Sequence, residues 1–577
     1  MDPRTAAHVL SQISDLLELA GENRFKVRAY QSAASAILEV VTDDICPLYR
    51  DGSLAKLKGI GPATLGVIAD LCETGESRYF EQLRERTPEG LLEMIRVPGL
   101  GIGKIHLIHE GLGIESVQEL EDAARDGRLA KLKGFGPKTA EKILKGITYL
   151  RTTTAYILYP YALIEARRLL AMVEQHPDVE RAMIAGSLRR RRETVRDIDI
   201  VAACRATPAA VAASFARAGG VRDAVGEGGR SISIRYVDGT LLDLHCVEPE
   251  RFGIALWRAT GSESHTNEVR ARATERGLQL AEDELRDASG NVLPIVDEVA
   301  FYDALDLPYI EPELREGRGE VDAAARRALP SLIAYADLKG VLHCHSQYSD
   351  GKATIAEMAA AAKARGWSYI GISDHSESAF YAGGVSRDSL LVQHDEIDRI
   401  NETLDGIKVL KGIEADILAD GRVDYDDEIL ERFDFVIASI HSRFGMDRGA
   451  MTDRVLRAMD NPHLTILGHP TGRLLLTREP YAIDMDAVIE KAADLGIVLE
   501  LNADPHRLDI EWQLCRAAKD RGVIVAIGPD AHSTAGLDCT EIGVGIARKG
   551  WLEPADVLNT WSADAIVERA RARRARA

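Results

Sequence analysis

The chain has 577 residues, 46% of them apolar and 28% charged, a balance that excludes a largely disordered chain and a length that exceeds what one hydrophobic core holds. The formal charge of −20 is unevenly placed: residues 1–250 carry 33 basic and 35 acidic side chains, residues 336–577 carry 28 and 40. Met1 to Leu10 has no signal-peptide core and no apolar run approaches the roughly 20 residues of a membrane helix, so a cytoplasmic protein with no membrane contact is expected. Seven cysteines without a Cys-x-x-Cys pair point to free thiols, against a disulfide framework or a thiolate zinc site.

Residues 1–150 read as short helices broken by glycines, with one element repeated three times: Leu57-Lys58-Gly59-Ile60-Gly61-Pro62, Val97-Pro98-Gly99-Leu100-Gly101 and Leu132-Lys133-Gly134-Phe135-Gly136-Pro137-Lys138. Each copy precedes a helical stretch. A Gly-x-Gly turn brings backbone close to a phosphate, and the following helix aims unpaired N–H groups and its positive dipole end at the anion. The copies resemble the helix-hairpin-helix motif, which implies sequence-independent DNA binding through Gly59, Gly61, Gly99, Gly101, Gly134, Gly136 and Lys138.

From 151 to 250 the pattern turns to β-branched and apolar runs, Ala182–Ala185, Ile198–Ala203, Ser231–Val237 and Leu241–Val247, the last two joined by the hairpin signal Asp238-Gly239. Asp197-Ile198-Asp199 sets two carboxylates on one face of a strand, and Asp243 is a lone acid in an apolar strand. Three acids on one sheet face repel unless cations lie between them, and two divalent ions are the expected occupants. Upstream, Gly186-Ser187 with Arg189 and Arg190 ends a strand in a small-residue turn suited to a phosphate.

Taken together, Gly186-Ser187-x-Arg189-Arg190, Glu193-Thr194, Asp197-x-Asp199 and Asp243 resemble the nucleotidyltransferase palm of family X DNA polymerases. Thr260-Gly261-Ser262 with Arg270, and Leu307-Pro308-Tyr309-Ile310 through Glu313-Leu314-Arg315, resemble that family's nucleotide-binding subdomain. The resemblance implies a helical DNA-binding domain at 1–95, a fingers-like subdomain at 96–150, a palm at 151–250 and a thumb-like subdomain at 251–317. It implies that Asp197, Asp199 and Asp243 are catalytic and bind two Mg²⁺ or Mn²⁺ ions, that Gly186, Ser187, Arg190, Gly261 and Arg270 bind a dNTP, and that the protein is a monomer acting on gapped or primer-template DNA. Two positions depart from the family. Arg258-Ala259 stands where an aromatic pair usually excludes the ribose hydroxyl, and Ala63 to Ala69 lacks the Schiff-base lysine of relatives with lyase activity, so no lyase reaction of that type is expected.

Residues 318–335, with Glu320, Asp322, Arg326, Arg327 and Pro330, read as a linker. Beyond it, short apolar runs end in potential metal ligands and are followed by helices: His343-Cys344-His345, Asp374-His375, Glu414, His441, His469-Pro470, Glu500-Leu501-Asn502 and Asp530-Ala531-His532. This alternation predicts parallel βα units closed into a barrel, with the ligands meeting at the C-terminal mouth. Six of the nine histidines of 336–577 fall at these ends; His394, His463 and His506 read as ordinary structural or surface residues. Imidazoles with carboxylates and no thiolate suit Mn²⁺, Zn²⁺ or Fe²⁺.

The set His343-x-His345, Asp350, His375, Glu414, His441, His469, Asp530 and His532 resembles the polymerase and histidinol phosphatase (PHP) domain over 336–577. That resemblance implies up to three Mn²⁺ or Zn²⁺ ions: one on His343, His345, Glu414 and Asp530, one on Glu414, His441 and His469, one on Asp350, His375 and His532. The expected fold is thus multidomain α+β and α/β, with a helix-hairpin-helix N-terminal region, a palm on a mixed sheet and a distorted (β/α)7 barrel. The expected function is a DNA repair polymerase with 3′-5′ exonuclease activity. A small-molecule phosphatase barrel carried by a DNA-binding half, and a DNA-end scaffold with an inactive polymerase half, are the alternatives.

Overall fold

A computed structural model describes the chain except residues 2, 21, 39, 41, 43, 85, 86, 88, 96, 98, 154, 155, 227, 228, 282, 576 and 577; Pro98 of the second repeat thus lies outside the described residues. The chain forms two compact units, Met1–Tyr156 with Gln175–Arg181 and Arg196–Glu248, and Ile157–Glu174 with Ala182–Val195 and Pro249–Ala577. The span 151–250 is therefore divided between them. Among the described residues no helix is long and apolar enough to cross a membrane.

In the first unit, the helix Pro3–Leu19 carries Leu10, Ile13 and Leu17 at three- and four-residue spacing, and this stripe is fully buried against Ile37 of Arg24–Leu38 and Ile68 of Pro62–Thr74. Each such side chain contributes about 1.5–3 kcal/mol by leaving water. A second helical core gathers Met94, Ile105, Ile108, Leu120, Ile143 and Ile147. Cys46 and Cys72 form a disulfide with Cα atoms 5.4 Å apart, which corrects the expectation of free thiols throughout. Their separation of 26 residues carries no pattern that a sequence reading recognises.

The same unit holds strands β1 (Ile198–Cys204), β2 (Val221–Val225), β3 (Ser231–Tyr236) and β4 (Leu241–Val247), lying side by side as β1-β4-β3-β2. β4 runs parallel to β1 and antiparallel to β3, and Gly239 turns the β3–β4 hairpin at φ +89°. Ile232, Ile234, Leu242, Leu244 and Cys246 point into the core; Ser231, Ser233, Asp243 and His245 line the opposite, more open face.

In the second unit seven strands follow one another in chain order, each parallel to the next: β5 (Gly340–Val341), β6 (Tyr369–Ile372), β7 (Lys408–Asp416), β8 (Phe435–Ser439), β9 (Ile466–Leu467), β10 (Val498–Asn502) and β11 (Val525–Gly528). The ring closes just beyond the first and last strands, where His345 N donates to Ala531 O (2.9 Å) and Ala531 N to His343 O (3.2 Å). Phe435 and Ile437 fill the barrel interior while Val436 and Ala438 pack outward under the helices. Gly371 and Gly412 make room for Phe435: a Cβ on either would lie 2.6 or 2.1 Å from its ring.

The segment read as a linker is folded. Glu320–Ala325 is a helix with Val321, Ala323 and Ala324 in a core shared with Trp551, and Ile333 N donates to Leu552 O at 3.0 Å. Its charges disguised one apolar face.

Candidate functional site

In each repeat of the first unit, the first glycine takes a left-handed turn, φ +102° at Gly59, +80° at Gly99 and +92° at Gly134, a region that only glycine enters freely. The second glycine, Gly61, Gly101 or Gly136, stands directly before a helix: Pro62–Thr74, Ile102–Leu112 or Pro137–Thr153. The residue between them, Ile60, Leu100 or Phe135, is buried and pins the turn to the core. Added Cβ atoms at Gly61, Gly101 and Gly136 would meet nothing, so these backbones are open to a ligand. Lys138 is exposed on the first turn of the third helix.

Asp199 and Asp243 are direct partners across β1 and β4, and Asp197 lies one step before β1. Burial raises the Asp197 carboxyl above its ordinary range, with Asp199 and then Asp243 adding repulsion, while Arg196 at 3.2 Å works the other way. Three carboxylates gathered this closely suit divalent cations. Ser233 Oγ donates to Asp243 Oδ1, and His245 Nε2 lies 3.8 Å from Asp199 Oδ1; neither neighbour was singled out from the sequence.

In the second unit Gly186, at φ +63°, opens a four-residue turn of helix carrying the half-buried Ser187. The arginines beside it face inward. Arg189 is bidentate to Glu298 at 2.6 and 3.0 Å and donates to Thr260 Oγ1. Arg190 donates to Glu316 Oε1 at 3.0 Å and to Thr260 O at 2.7 Å. Glu316 is also paired with the fully buried Lys549, which burial first, and then Arg190, push down to about 8 against the pull of Glu316. Gly261 sits tightly over His265 and Thr266, where a Cβ would approach to 2.9 and 3.0 Å, and Ser262 caps the helix Glu263–Glu275, from which Arg270 is exposed. Arg258 pairs with Asp283 at 3.0 Å.

The barrel's mouth brings all nine expected ligands together. Glu414, on β7, lies at its centre: His469 Nε2 is 3.0 Å away, His441 Nε2 3.3 Å, His343 Nε2 3.5 Å, His375 Nδ1 2.9 Å and His345 Nε2 3.8 Å. Asp530 lies 3.2 Å from His345 and 3.7 Å from His343, and Asp350 lies 3.2 Å from His532 and 3.7 Å from His375. Three groups have ligand atoms mutually within 4.8 Å: His343, His345 and Asp530; His375, Glu414 and His441; and His345, Asp350, His375 and His532. His345 and His375 are thus shared between groups, whereas the resemblance gave each to a single ion.

The buried electrostatics fit cations. His343 Nε2 and His345 Nδ1 are buried and make no hydrogen bond, a cost that coordination removes. Burial and then Arg507 push the His469 imidazole down to about 3. At His441 burial is outweighed by Glu414 and Asp416, holding it at about 9. Glu414 and Asp530 are buried carboxylates that the surrounding imidazoles hold well below the usual range.

Four family descriptions match the chain: a helix-hairpin-helix domain at residues 1–77, a SAM-like helix-hairpin-helix tandem at 91–148, a DNA polymerase beta thumb at 255–316 and a PHP domain at 342–502. The DNA polymerase/3′-5′ exonuclease PolX of Bacillus subtilis (strain 168) is 36% identical over 565 residues, covering 97% of this chain and 98% of that one. The chain belongs to the family X DNA polymerases that carry a PHP domain. Its barrel alone also resembles a probable phosphatase of Caldanaerobacter subterraneus subsp. tengcongensis, 32% identical over 31% of this chain and 70% of that one, and a probable phosphatase of Syntrophotalea carbinolica, 34% identical over 38% and 90%.

This family X barrel carries an outer set of residues that sequence reasoning left unassigned. Glu500 accepts from His343 Nδ1 at 2.5 Å and from His469 N at 2.7 Å, and Asn502 donates to Glu500 and to Asp530 at 3.2 and 3.0 Å. Asp416 holds His441 Nδ1 at 2.7 Å. Asp374 accepts from Ser346 N, Ser349 Oγ and Gln393 Nε2 at 2.5 to 2.7 Å, bracing the loop that ends in Asp350. Their sequence signal was visible: Glu500, Asn502 and Asp374 lie at the same strand ends as the ligands.

Proposed function

We propose that the chain fills gaps in DNA by template-directed nucleotidyl transfer and trims DNA 3′ ends in its barrel, as a repair polymerase with 3′-5′ exonuclease activity. The observation that carries this reading is the register of β1 and β4, which sets Asp199 against Asp243 beside Asp197 on an open sheet face. Asp197, Asp199 and Asp243 would hold two Mg²⁺ or Mn²⁺ ions, which when bound supply activation of the primer 3′ hydroxyl and charge neutralisation at the triphosphate. Ser233 orients Asp243 for that task. Gly186, Ser187, Gly261 and Arg270 would contact the dNTP; Arg190 joins them by exchanging Glu316 for phosphate.

In the barrel, the nine ligands would hold up to three Mn²⁺ or Zn²⁺ ions, which when bound supply an activated water and stabilise phosphoester charge. The chain's own residues set the ligands: Glu500 fixes the His343 ring with Nε2 toward the centre, and Asp416 does the same for His441. The three hairpins, through Gly59, Gly61, Gly99, Gly101, Gly134, Gly136 and Lys138, would grip duplex backbone without reading bases. The protein acts as a monomer in this reading. A second reading, a phosphatase of small molecules, is favoured by the barrel's likeness to probable phosphatases. Incubating the protein with Mn²⁺, dNTPs and a 5′-labelled gapped duplex, in parallel with a phosphate monoester, separates the two. Extension and 3′ shortening of the label support the DNA reading; monoester turnover without 3′ shortening supports the phosphatase.

A further inference from the structure

The chain leaves ligand His375, makes a short excursion and returns at Val385, whose N–H donates to His375 O at 2.8 Å. Within this loop Ala379 and Ala382 are buried, Ala379 N donates to Ser376 O at 3.0 Å, and Ser378 N donates to Asp424 Oδ2 at 2.9 Å. Tyr425 OH holds the returning strand by donating to Val385 O. Gly383 has φ +66°, and a Cβ added there would lie 3.8 Å from Ser349 O, next to ligand Asp350. The loop is therefore braced at both feet and leans toward the ligand group of His345, Asp350, His375 and His532.

At its tip Phe380 is 87% exposed. Single exposed apolar side chains are common on protein surfaces, but this one is held out between buried Ala379 and Ala382 on a braced loop that leaves ligand His375 and returns to bond its backbone at Val385. Exposed cations stand near other ligands in the chain: Lys352 two residues beyond Asp350, and Arg443 two residues beyond His441. An aromatic face with scattered cations is the pairing by which proteins hold a single nucleic-acid strand, the ring stacking on a base and the cations meeting phosphates.

We propose that Phe380 is a stacking platform for a nucleobase at the 3′ end of the strand entering the barrel. This rests on the reading of the barrel as a nuclease and names what it recognises: a base-bearing single-stranded terminus. A small phosphate monoester has no base to place there.

The test measures KM and kcat, with Mn²⁺, for 3′ degradation of two 5′-labelled single strands, identical except that one ends in two abasic nucleotides. The wild-type chain should show a KM roughly tenfold lower for the strand ending in bases, the order expected of one stacked base. Phe380→Ala should lose this preference, and Phe380→Trp should restore it. Retention of the preference in Phe380→Ala overturns the proposal, as does a wild-type chain that degrades both strands with equal KM while extending primers normally. If the wild type shortens neither strand, the nuclease reading itself fails and the platform fails with it.

Discussion

At the scale of single residues, the barrel's histidines are held in place by buried side chains that lie behind them. Glu500 is 1% exposed and accepts from both His343 and the His469 backbone. Replacing it with Gln removes the charge that fixes the His343 tautomer, and second-layer changes of this kind lower metal affinity about 10- to 100-fold. Glu500→Gln should therefore retain less Mn²⁺ than wild type after dialysis, read by elemental analysis, with its circular dichroism unaltered. Such residues were only half legible in the sequence. His343, His345 and Asp530 are visible because each ends an apolar run, whereas the task of Glu500 depends on a histidine 157 positions away. Arg190 shows the same limit: its place in a phosphate-like turn was readable, but its attachment to Glu316, 126 residues on, was not.

At the scale of elements, the hairpins divide labour between their two glycines. A Cβ at Gly59 would sit 3.0 Å from Ser32 O on a backbone at φ +102°, whereas one at Gly61 would meet nothing. Gly59→Val should cost about 1–3 kcal/mol of stability, read by urea unfolding. Gly61→Val should leave stability near wild type and weaken binding to a gapped duplex. Lys138→Ala should weaken binding alike for all sequences and reduce the slope of log K against log salt by about 1. The repeats were legible because the Gly-x-Gly spacing is itself the geometry. The helix Glu320–Ala325 was not, since Glu320, Asp322, Arg326 and Arg327 gave it the composition of a linker; Glu320 in fact pairs with buried His265 at 2.7 Å.

At the scale of the whole molecule, two clusters lie in different compact units, the acids Asp197, Asp199 and Asp243 in one and the nine proposed ligands of the barrel in the other. Divalent ions that bind only the folded barrel stabilise it by mass action, about 2.7 kcal/mol at a hundredfold excess over Kd. Mn²⁺ should accordingly raise the thermal unfolding temperature of the wild-type chain and raise it less in His343→Ala. The order of the barrel strands and the convergence of their ends followed from the alternation of apolar runs and helices. The division of the span 151–250 between two units did not, because it is decided by packing that no local pattern records. One measurement bears most directly on the assignment of two separate chemistries: extension and 3′ shortening of a single labelled gapped duplex by Asp199→Ala and His343→Ala. Asp199→Ala should lose extension and keep shortening, and His343→Ala should do the reverse. If Asp199→Ala extends at the wild-type rate, or His343→Ala still shortens the strand at the wild-type rate, the corresponding cluster is not where the reaction occurs.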